Sequence, residues 1–251
     1  MSSKAFLALF GKDRVRGPGL VLSVGLLSFG LAACSYQGAI DNPTTIKATW
    51  FSYLNGDDIR QACAEGATLR YRLVYNADYD EQLRSYELVG DGAGGAALTA
   101  RVQGPSGLVV SKLRLDDPLA WARWTTSQAA LDAPALGRLD EALERSGAFG
   151  PAPTGLRLFS KETYWVSSLC KDGVFSFNAW VYPSERFDEI SFNDLLFGHD
   201  ATGVTVRPPQ AIAPGERFHA NVPRRRQSDD DRGNTFNLQV GENGLAGYLA
   251  L

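Results

Sequence analysis

The chain has 251 residues, with 25 basic and 28 acidic side chains and a formal net charge of −3. A slightly acidic chain argues against a nucleic-acid-binding protein, which would present a basic face. Its 26 glycines and 12 prolines accompany abundant aromatic residues, so the composition is typical of a turn-rich β protein and argues against a disordered chain.

The first 34 residues have the three parts of a bacterial export signal. A basic leader comes first, with Lys4, Lys12, Arg14 and Arg16 against one acid. The apolar stretch 20–31 follows, which has the length of a signal-peptide core and is too short to span a bilayer comfortably. It ends in Leu31-Ala32-Ala33-Cys34, which resembles the lipobox of bacterial lipoproteins. The resemblance implies that residues 1–33 are removed and that lipid is attached to Cys34.

The same resemblance implies a cellular location for the mature protein. In such lipoproteins, a residue other than Asp after the lipidated cysteine goes with export to the outer membrane, and here that residue is Ser35. More than one acyl chain on Cys34 would give stable anchoring. The leader carries four bases and one acid, so the mature chain of 218 residues would have 21 basic and 27 acidic side chains, a net charge of −6. An uncleaved N-terminal membrane helix is the alternative.

The number of cysteines agrees with a location in the periplasm. Once Cys34 is lipidated, the thiols of Cys63 and Cys170 remain, and disulfides persist in an oxidising periplasm. An even remainder fits one bridge, which would close a loop of just over 100 residues. We predict a Cys63–Cys170 disulfide, with two buried free thiols as the alternative. A zinc site is not expected, because His199 and His219 have no ligand spacing with a cysteine.

The N-terminal part of the mature chain predicts short elements. We interpret the polar segment 34–45 as a tether between the lipid and the domain. The segment 46–54 fits a strand or a helix, and its β-branched and aromatic residues favour a strand. Asp57 is placed to cap a short helical turn that runs to Cys63 and ends at Gly66. Apolar residues at alternate positions then predict antiparallel strands at 71–76, 85–89, 97–102 and 108–115.

A helix and a hairpin follow. Three leucines at spacings of three and four predict a helix over 135–145, with Asp132 as its cap and Gly147 as its end. The stretch 163–182 predicts a hairpin that turns at Asp172-Gly173, since both residues tolerate positive φ. Further strands or edge segments are predicted at 190–197, 203–207, 217–222 and 235–240, and the apolar end 245–251 is expected to dock on the core.

These elements predict an α+β fold that is rich in β structure. We expect antiparallel sheets that form a sandwich or a partly open barrel, with one or two surface helices. Residues 46–251 are expected to form a single domain, because no repeat and no linker divides them.

No motif after Cys34 assigns catalysis. His199-Asp200 and His219 can supply bases for a hydrolase, but the sequence lacks a Gly-x-Ser-x-Gly elbow. Adjacent carboxylates can serve acid–base chemistry or calcium, yet they point in different directions and more often cap helices or keep edges soluble. These groups are Asp57-Asp58, Asp116-Asp117, Asp188-Glu189 and Asp229-Asp230-Asp231. We predict no catalytic residue, no metal site and no cofactor.

Two further features can contact a ligand. Arg224, Arg225 and Arg226 can grip phosphate or an acidic partner through bidentate hydrogen bonds. Three aspartates follow closely, so a self-neutralising, solvated loop is the favoured interpretation. Exposed tryptophans can stack on carbohydrate, and Trp121 and Trp124 would share a face of a helical turn. In a β-rich fold most tryptophans belong to the core, which is the interpretation we favour here.

Two functions fit these observations. The favoured expectation is a non-catalytic accessory, assembly or binding protein of the cell envelope, with another envelope protein as its partner. The alternative is a periplasmic hydrolase or an enzyme that binds carbohydrate or peptidoglycan. Nucleic acid is not an expected partner, because the mature chain carries a net negative charge.

Overall fold

Antiparallel strands dominate the chain, as the composition predicts. The computed structural model describes residues 36, 43–104, 124–212 and 236–250. Among these residues, six strands form one open sheet in the order β4-β3-β2-β1-β6-β7, and three short strands form a second sheet in the order β5-β8-β9. All pairs are antiparallel. The predicted α+β fold class, rich in antiparallel β structure, is confirmed, and the larger sheet is open. The strands are β1 (Leu69–Ala77), β2 (Leu83–Gly90), β3 (Ala96–Gln103), β4 (Thr125–Leu131), β5 (Arg157–Phe159), β6 (Thr163–Lys171), β7 (Val174–Val181), β8 (Phe236–Val240) and β9 (Leu245–Ala250).

The helices of the described residues are more numerous than the one or two predicted. They are α1 (Pro43–Asn55), α2 (Asp57–Ala64), α3 (Ala133–Arg145), α4 (Glu185–Asp188) and α5 (Asn193–Gly198). None of these helices is both long and apolar enough to cross a membrane.

The strand predicted over 46–54 is wrong, since this segment lies in α1. Trp50, Tyr53 and Leu54 are buried, and their spacing of three and four is that of one helical face. Packing of that face outweighed the β propensity of the individual residues. The strand predicted over 190–197 is wrong for the same reason, because α5 forms there around the buried Leu196.

Both faces of the large sheet are covered, which divides the core in two. On the first face, Tyr71, Leu73 and Tyr75 of β1 pack with α3, α4 and α5. On the second face, Val74 of β1 lies in a cluster with α1 and the three-stranded sheet. Consecutive side chains of a strand point to opposite faces, so the central strands β1 and β6 are buried along nearly their whole length.

Two local predictions are confirmed in detail. The side chain of Asp132 accepts a hydrogen bond from the N–H of Ala135 at 2.8 Å and caps α3, and Gly147 follows the helix with φ 71°. Asp172 and Gly173 turn the β6–β7 hairpin with φ values of 50° and 76°. Both residues are therefore left-handed, which is the requirement of a tight hairpin turn.

Other predicted segments differ or are not described. Residues 203–207 form no strand. The predicted strands at 108–115 and 217–222 lie outside the described residues. Three observed strands, β4, β5 and β9, were not predicted as strands. The sequence of β4, TTSQAAL, carries one large apolar residue, so it gives little alternation of hydrophobicity.

Candidate functional site around Tyr36

Tyr36 packs into the domain two residues after Cys34. Its side chain is 5% exposed, and its ring meets the ring of Tyr53 edge to face with centroids 4.8 Å apart. Its backbone N–H donates to the Oγ of Ser52 at 3.0 Å, and Ser52 donates in turn to the carboxylate of Asp57 at 2.6 Å. Ring packing and the backbone hydrogen bond together fix this part of the chain against α1.

The segment interpreted as a tether, 34–45, therefore has folded parts at two places. Tyr36 is buried, and Pro43 to Thr45 open helix α1. The remaining residues of that segment lie outside the described part of the chain. The described residues from Tyr36 onward belong to one compact unit.

Arg72 of β1 lies beneath Tyr36 and Tyr53 on the second face of the sheet. Its side chain is 2% exposed. The guanidinium carbon is 3.8 Å from the centroid of the Tyr53 ring and 5.0 Å from that of Tyr36. A cation against an aromatic face is attracted by the ring quadrupole, and the attraction is stronger when water is excluded. The buried cation therefore links Tyr36 to the sheet.

The guanidinium of Arg72 makes four hydrogen bonds and one further ion-pair contact. It makes a bidentate pair with Asp58 of α2, with both N···O distances at 2.8 Å. Nε and one terminal nitrogen lie 2.8 and 2.7 Å from Oε1 of Glu87, and the backbone carbonyl of Tyr53 accepts at 3.0 Å. Each of the three guanidinium nitrogens therefore has an oxygen partner. The other oxygen of Glu87 accepts from Arg101 at 2.6 Å. We call Tyr36, Tyr53, Asp58, Arg72, Glu87 and Arg101 the Arg72 cluster.

Charges balance within the Arg72 cluster, with two guanidiniums against two carboxylates. Burial raises the pKa of Glu87, but Arg72 and Arg101 outweigh that effect and hold it below its ordinary value. Burial disfavours the charge of Arg72, yet Tyr53, Asp58 and Glu87 raise its pKa above the usual range. Burial, followed by the charge of Glu87, raises the pKa of Tyr36 to about 12. At neutral pH, Arg72 and Glu87 are therefore charged and the phenol of Tyr36 is neutral.

The lowered pKa of Glu87 predicts the pH dependence of stability. A carboxylate with a depressed pKa in the folded state stabilises the fold above its unfolded pKa, and this contribution is lost as pH falls through the folded value. We expect the urea concentration at the unfolding midpoint to decrease once the pH is lowered below about 4.5, which is the ordinary pKa of Glu. Glu87→Gln should flatten this dependence, whereas Glu144→Gln, at an exposed position of α3, should leave it unchanged. Equal pH profiles for the parent and Glu87→Gln would contradict the assignment.

Cys63 and Cys170 hold the helix that supplies Asp58. Their sulfur atoms are 2.07 Å apart and their Cα atoms 5.5 Å apart, so they lie at disulfide distance. Both residues are buried beside Ile59 of α2. The predicted pairing agrees with this geometry, and it joins the C-terminal end of α2 to β6, where Cys170 lies opposite Arg70 of β1.

Asp200 belongs to a second buried ion pair on the first face of the sheet. Its Oδ2 accepts from Arg84 at 2.6 Å and from the hydroxyl of Tyr86 at 2.9 Å. Burial raises the pKa of Asp200, but hydrogen bonds from Thr202 and Tyr86 and the charge of Arg84 hold it below its ordinary value. This carboxylate anchors the loop after α5 to β2. The neighbouring His199 is half-buried at the end of α5.

The adjacent acidic residues have mostly structural roles where they are described. Asp57 does not cap α2, because Gly56 holds the cap position with φ 68°; the Asp57 carboxylate accepts from Ser52 and from Asn55 at 2.6 Å each. Asp188 and Glu189 are exposed at the end of α4. In the described ranges, no group of three or more His, Cys, Asp and Glu side chains is placed to hold a metal ion.

The tryptophans that the structure describes belong to the core, as expected. Exposed fractions are 2% for Trp50, 8% for Trp124 and 0% for Trp165 and Trp180. These four rings are therefore not platforms for stacking a carbohydrate. Several sequence-derived candidates fall outside the described residues: Cys34, Asp116-Asp117, Trp121, His219, Arg224, Arg225, Arg226 and Asp229-Asp230-Asp231.

Comparisons with protein-family models, curated proteins and solved structures give no match. The functional argument therefore rests on the residues of this chain. The Arg72 cluster was not predicted from the sequence, although one signal was present. Arg72 lies in the apolar run YRLVYN, on the same face of β1 as Val74, where a charge needs a partner.

Proposed function

We propose that the protein is a lipoprotein of the bacterial cell envelope that binds another envelope protein. Acyl chains on Cys34 hold it at the outer membrane, facing the periplasm. The sequence Leu31-Ala32-Ala33-Cys34 supports the anchor most directly, and the burial of Tyr36 limits the distance between that anchor and the folded domain. A chain extends at most about 3.6 Å per residue, so Cys34 lies within about 7 Å of Tyr36 between the Cα atoms. A lipid on Cys34 would then be attached almost directly to the folded domain.

Such a short link restricts the orientation of the domain. The Tyr36 ring is fixed to α1 and to Arg72, so α1 and the adjoining surface of the second face lie next to the lipid. A domain held in this way presents a constant surface to other proteins on the same membrane. This arrangement suits an accessory or assembly protein, whose partner is confined to that membrane.

The charged groups of the site favour binding over catalysis. Arg72 neutralises Asp58 and Glu87 in a hydrogen-bonded network, and Arg84 does the same for Asp200. Asp58 and Asp200 hold a helix and a loop on the sheet, and Glu87 links the strands β1, β2 and β3. The alternative is a hydrolase or carbohydrate-binding enzyme. The four described tryptophans do not support it, because they are buried and cannot stack on a sugar.

Cys34→Ala should abolish both lipid labelling and membrane attachment. The thiol that accepts the lipid is removed, so we expect no incorporation of an alkyne fatty acid and either a precursor or a soluble form. Ser35→Ala keeps the cysteine and is the matched control, for which labelling should persist. Ser35→Asp should keep the label but move the protein to the inner membrane. Normal fatty-acid labelling of Cys34→Ala would contradict the anchor.

Crosslinking in intact membranes tests the binding role. We expect the anchored protein to give one heterologous crosslinked product, identified by mass spectrometry. Cys34→Ala should yield at least about tenfold less of it, because membrane confinement raises the effective concentration of the partner. Equal yields from the anchored and soluble forms would contradict a role that depends on the anchor.

A further inference from the structure

The two outer strands of the six-stranded sheet, β4 and β7, differ in how their edges are protected. On β7, Nε of Arg186 donates to the carbonyl of Ala179 at 3.3 Å, and the N–H of Ala179 donates to the side chain of Asn178 at 3.1 Å. The hydroxyl of Ser184 donates to the carbonyl of Val181 at 2.7 Å. Side chains therefore occupy backbone groups that an added strand would need.

Among the described residues, the β4 edge carries no charge, proline or bulge of the kind that usually blocks strand addition. Its seven residues, TTSQAAL, include no charge and no proline. They pair with β3 in one continuous register without a bulge. Thr125, Thr126, Gln128 and Ala130 are exposed. Within the described part of the chain no strand lies on the outer side of β4, and such an edge is a template for pairing with another chain.

We propose that β4 pairs with β4 of a second copy of this chain, antiparallel about a two-fold axis. The register that pairs all seven residues places Gln128 opposite Gln128 of the second copy. Thr126 then lies opposite Ala130, and Thr125 opposite Leu131. The two six-stranded sheets become one continuous sheet across the axis.

The sequence of β4 is compatible with itself in this register. Opposed residues on a sheet face destabilise a pair when they carry like charges, and here every pair is uncharged. An amide side chain both donates and accepts, so Gln128 can hydrogen-bond with its counterpart on the axis. A two-fold interface requires one patch to complement itself, and β4 meets that requirement. These features favour a second copy over a different protein as the occupant.

A seven-residue edge is small, so we expect a reversible dimer with a Kd of about 1–100 μM.

Crosslinking of single-cysteine variants tests the proposed register between the two β4 strands. In the purified full-length protein treated with a short bismaleimide, Gln128→Cys should give a covalent dimer. Thr126→Cys alone should not, since the two copies of residue 126 lie four residues apart along the strands, about 14 Å. A mixture of Thr126→Cys and Ala130→Cys should crosslink again. The parent protein is the control for products through Cys34. No dimer from Gln128→Cys, or equal yields from all three single variants, would overturn the proposal.

A charge on the axis gives an independent test by sedimentation. Gln128→Lys brings two ammonium groups together, so the dimer Kd should rise at least about tenfold. Gln128 is exposed, so the variant should fold with an unchanged melting temperature. Val89→Lys adds the same charge at a position of β2 that is 47% exposed, away from the edge, and should leave the Kd unchanged. A monomeric parent at 100 μM, or equal Kd values for the parent and Gln128→Lys, would overturn the pairing.

Discussion

Arg72→Met is expected to lower the free energy of unfolding by about 3–5 kcal/mol. The substitution keeps an apolar stem beneath Tyr53 but removes all five N···O contacts of the guanidinium. The carboxylate of Asp58 then loses its bidentate partner, and Glu87 keeps only Arg101. A charge left buried without its partner pays the full desolvation penalty, and this penalty dominates the loss. Urea denaturation at pH 7 measures the change.

Arg70→Met is the matched control for that substitution. Arg70 is also on β1 and faces the same carboxylate, but its contact with Asp58 is 3.9 Å and its side chain is 43% exposed. An exposed ion pair contributes about 0–1 kcal/mol, so a small change is expected. Similar losses for the two variants would show that burial of the Arg72 cluster does not stabilise the fold.

Reduction of the Cys63–Cys170 pair is expected to cost about 4–5 kcal/mol, by the chain-entropy model of a loop of this length. The two cysteines are 107 residues apart, so their bond removes a large loop entropy from the unfolded chain. The comparison uses one sequence, oxidised and reduced, in urea denaturation. α2 carries Asp58 and is joined to β6 by this pair, so loss of the bond also releases one end of the Arg72 cluster.

The Cys63→Ala, Cys170→Ala double variant provides the control for reduction. Its urea midpoint should not respond to the reducing agent, because it has no bond to break between these positions. Mass spectrometry of the unreduced parent should show one linked peptide pair. Two alkylated thiols at these positions, or an unchanged midpoint on reduction, would contradict the disulfide.

The local pattern of the sequence is sufficient to predict the strands β1, β2 and β3 and the helix α3. Alternation predicts β1, β2 and β3, and spacings of three and four predict α3, because these elements each bury one regular face. The Asp-Gly turn predicts the β6–β7 hairpin from conformational preference alone. Propensity misassigns α1, because its buried residues Trp50 and Tyr53 are aromatic and aromatic residues are enriched in strands.

The Arg72 cluster is not predictable from local pattern. Arg72 meets Glu87 because the β1–β2 register places the two residues directly opposite each other. It meets Asp58 only after α2 docks on the sheet, which joins residues 14 positions apart on two different elements. The burial of Tyr36 depends on the same packing, because its ring needs the α1 helix that propensity assigns to a strand. These contacts therefore follow from tertiary structure.

The mass of the N-terminal peptide of the mature protein tests the proposed anchor most directly. The protein is isolated from bacterial membranes and digested, and its first peptide is identified by tandem mass spectrometry. We predict a peptide that begins at Cys34 and carries more than one acyl chain on that residue. A mature protein that begins at Met1, or a Cys34 peptide without acyl chains, would contradict the lipid-anchored function.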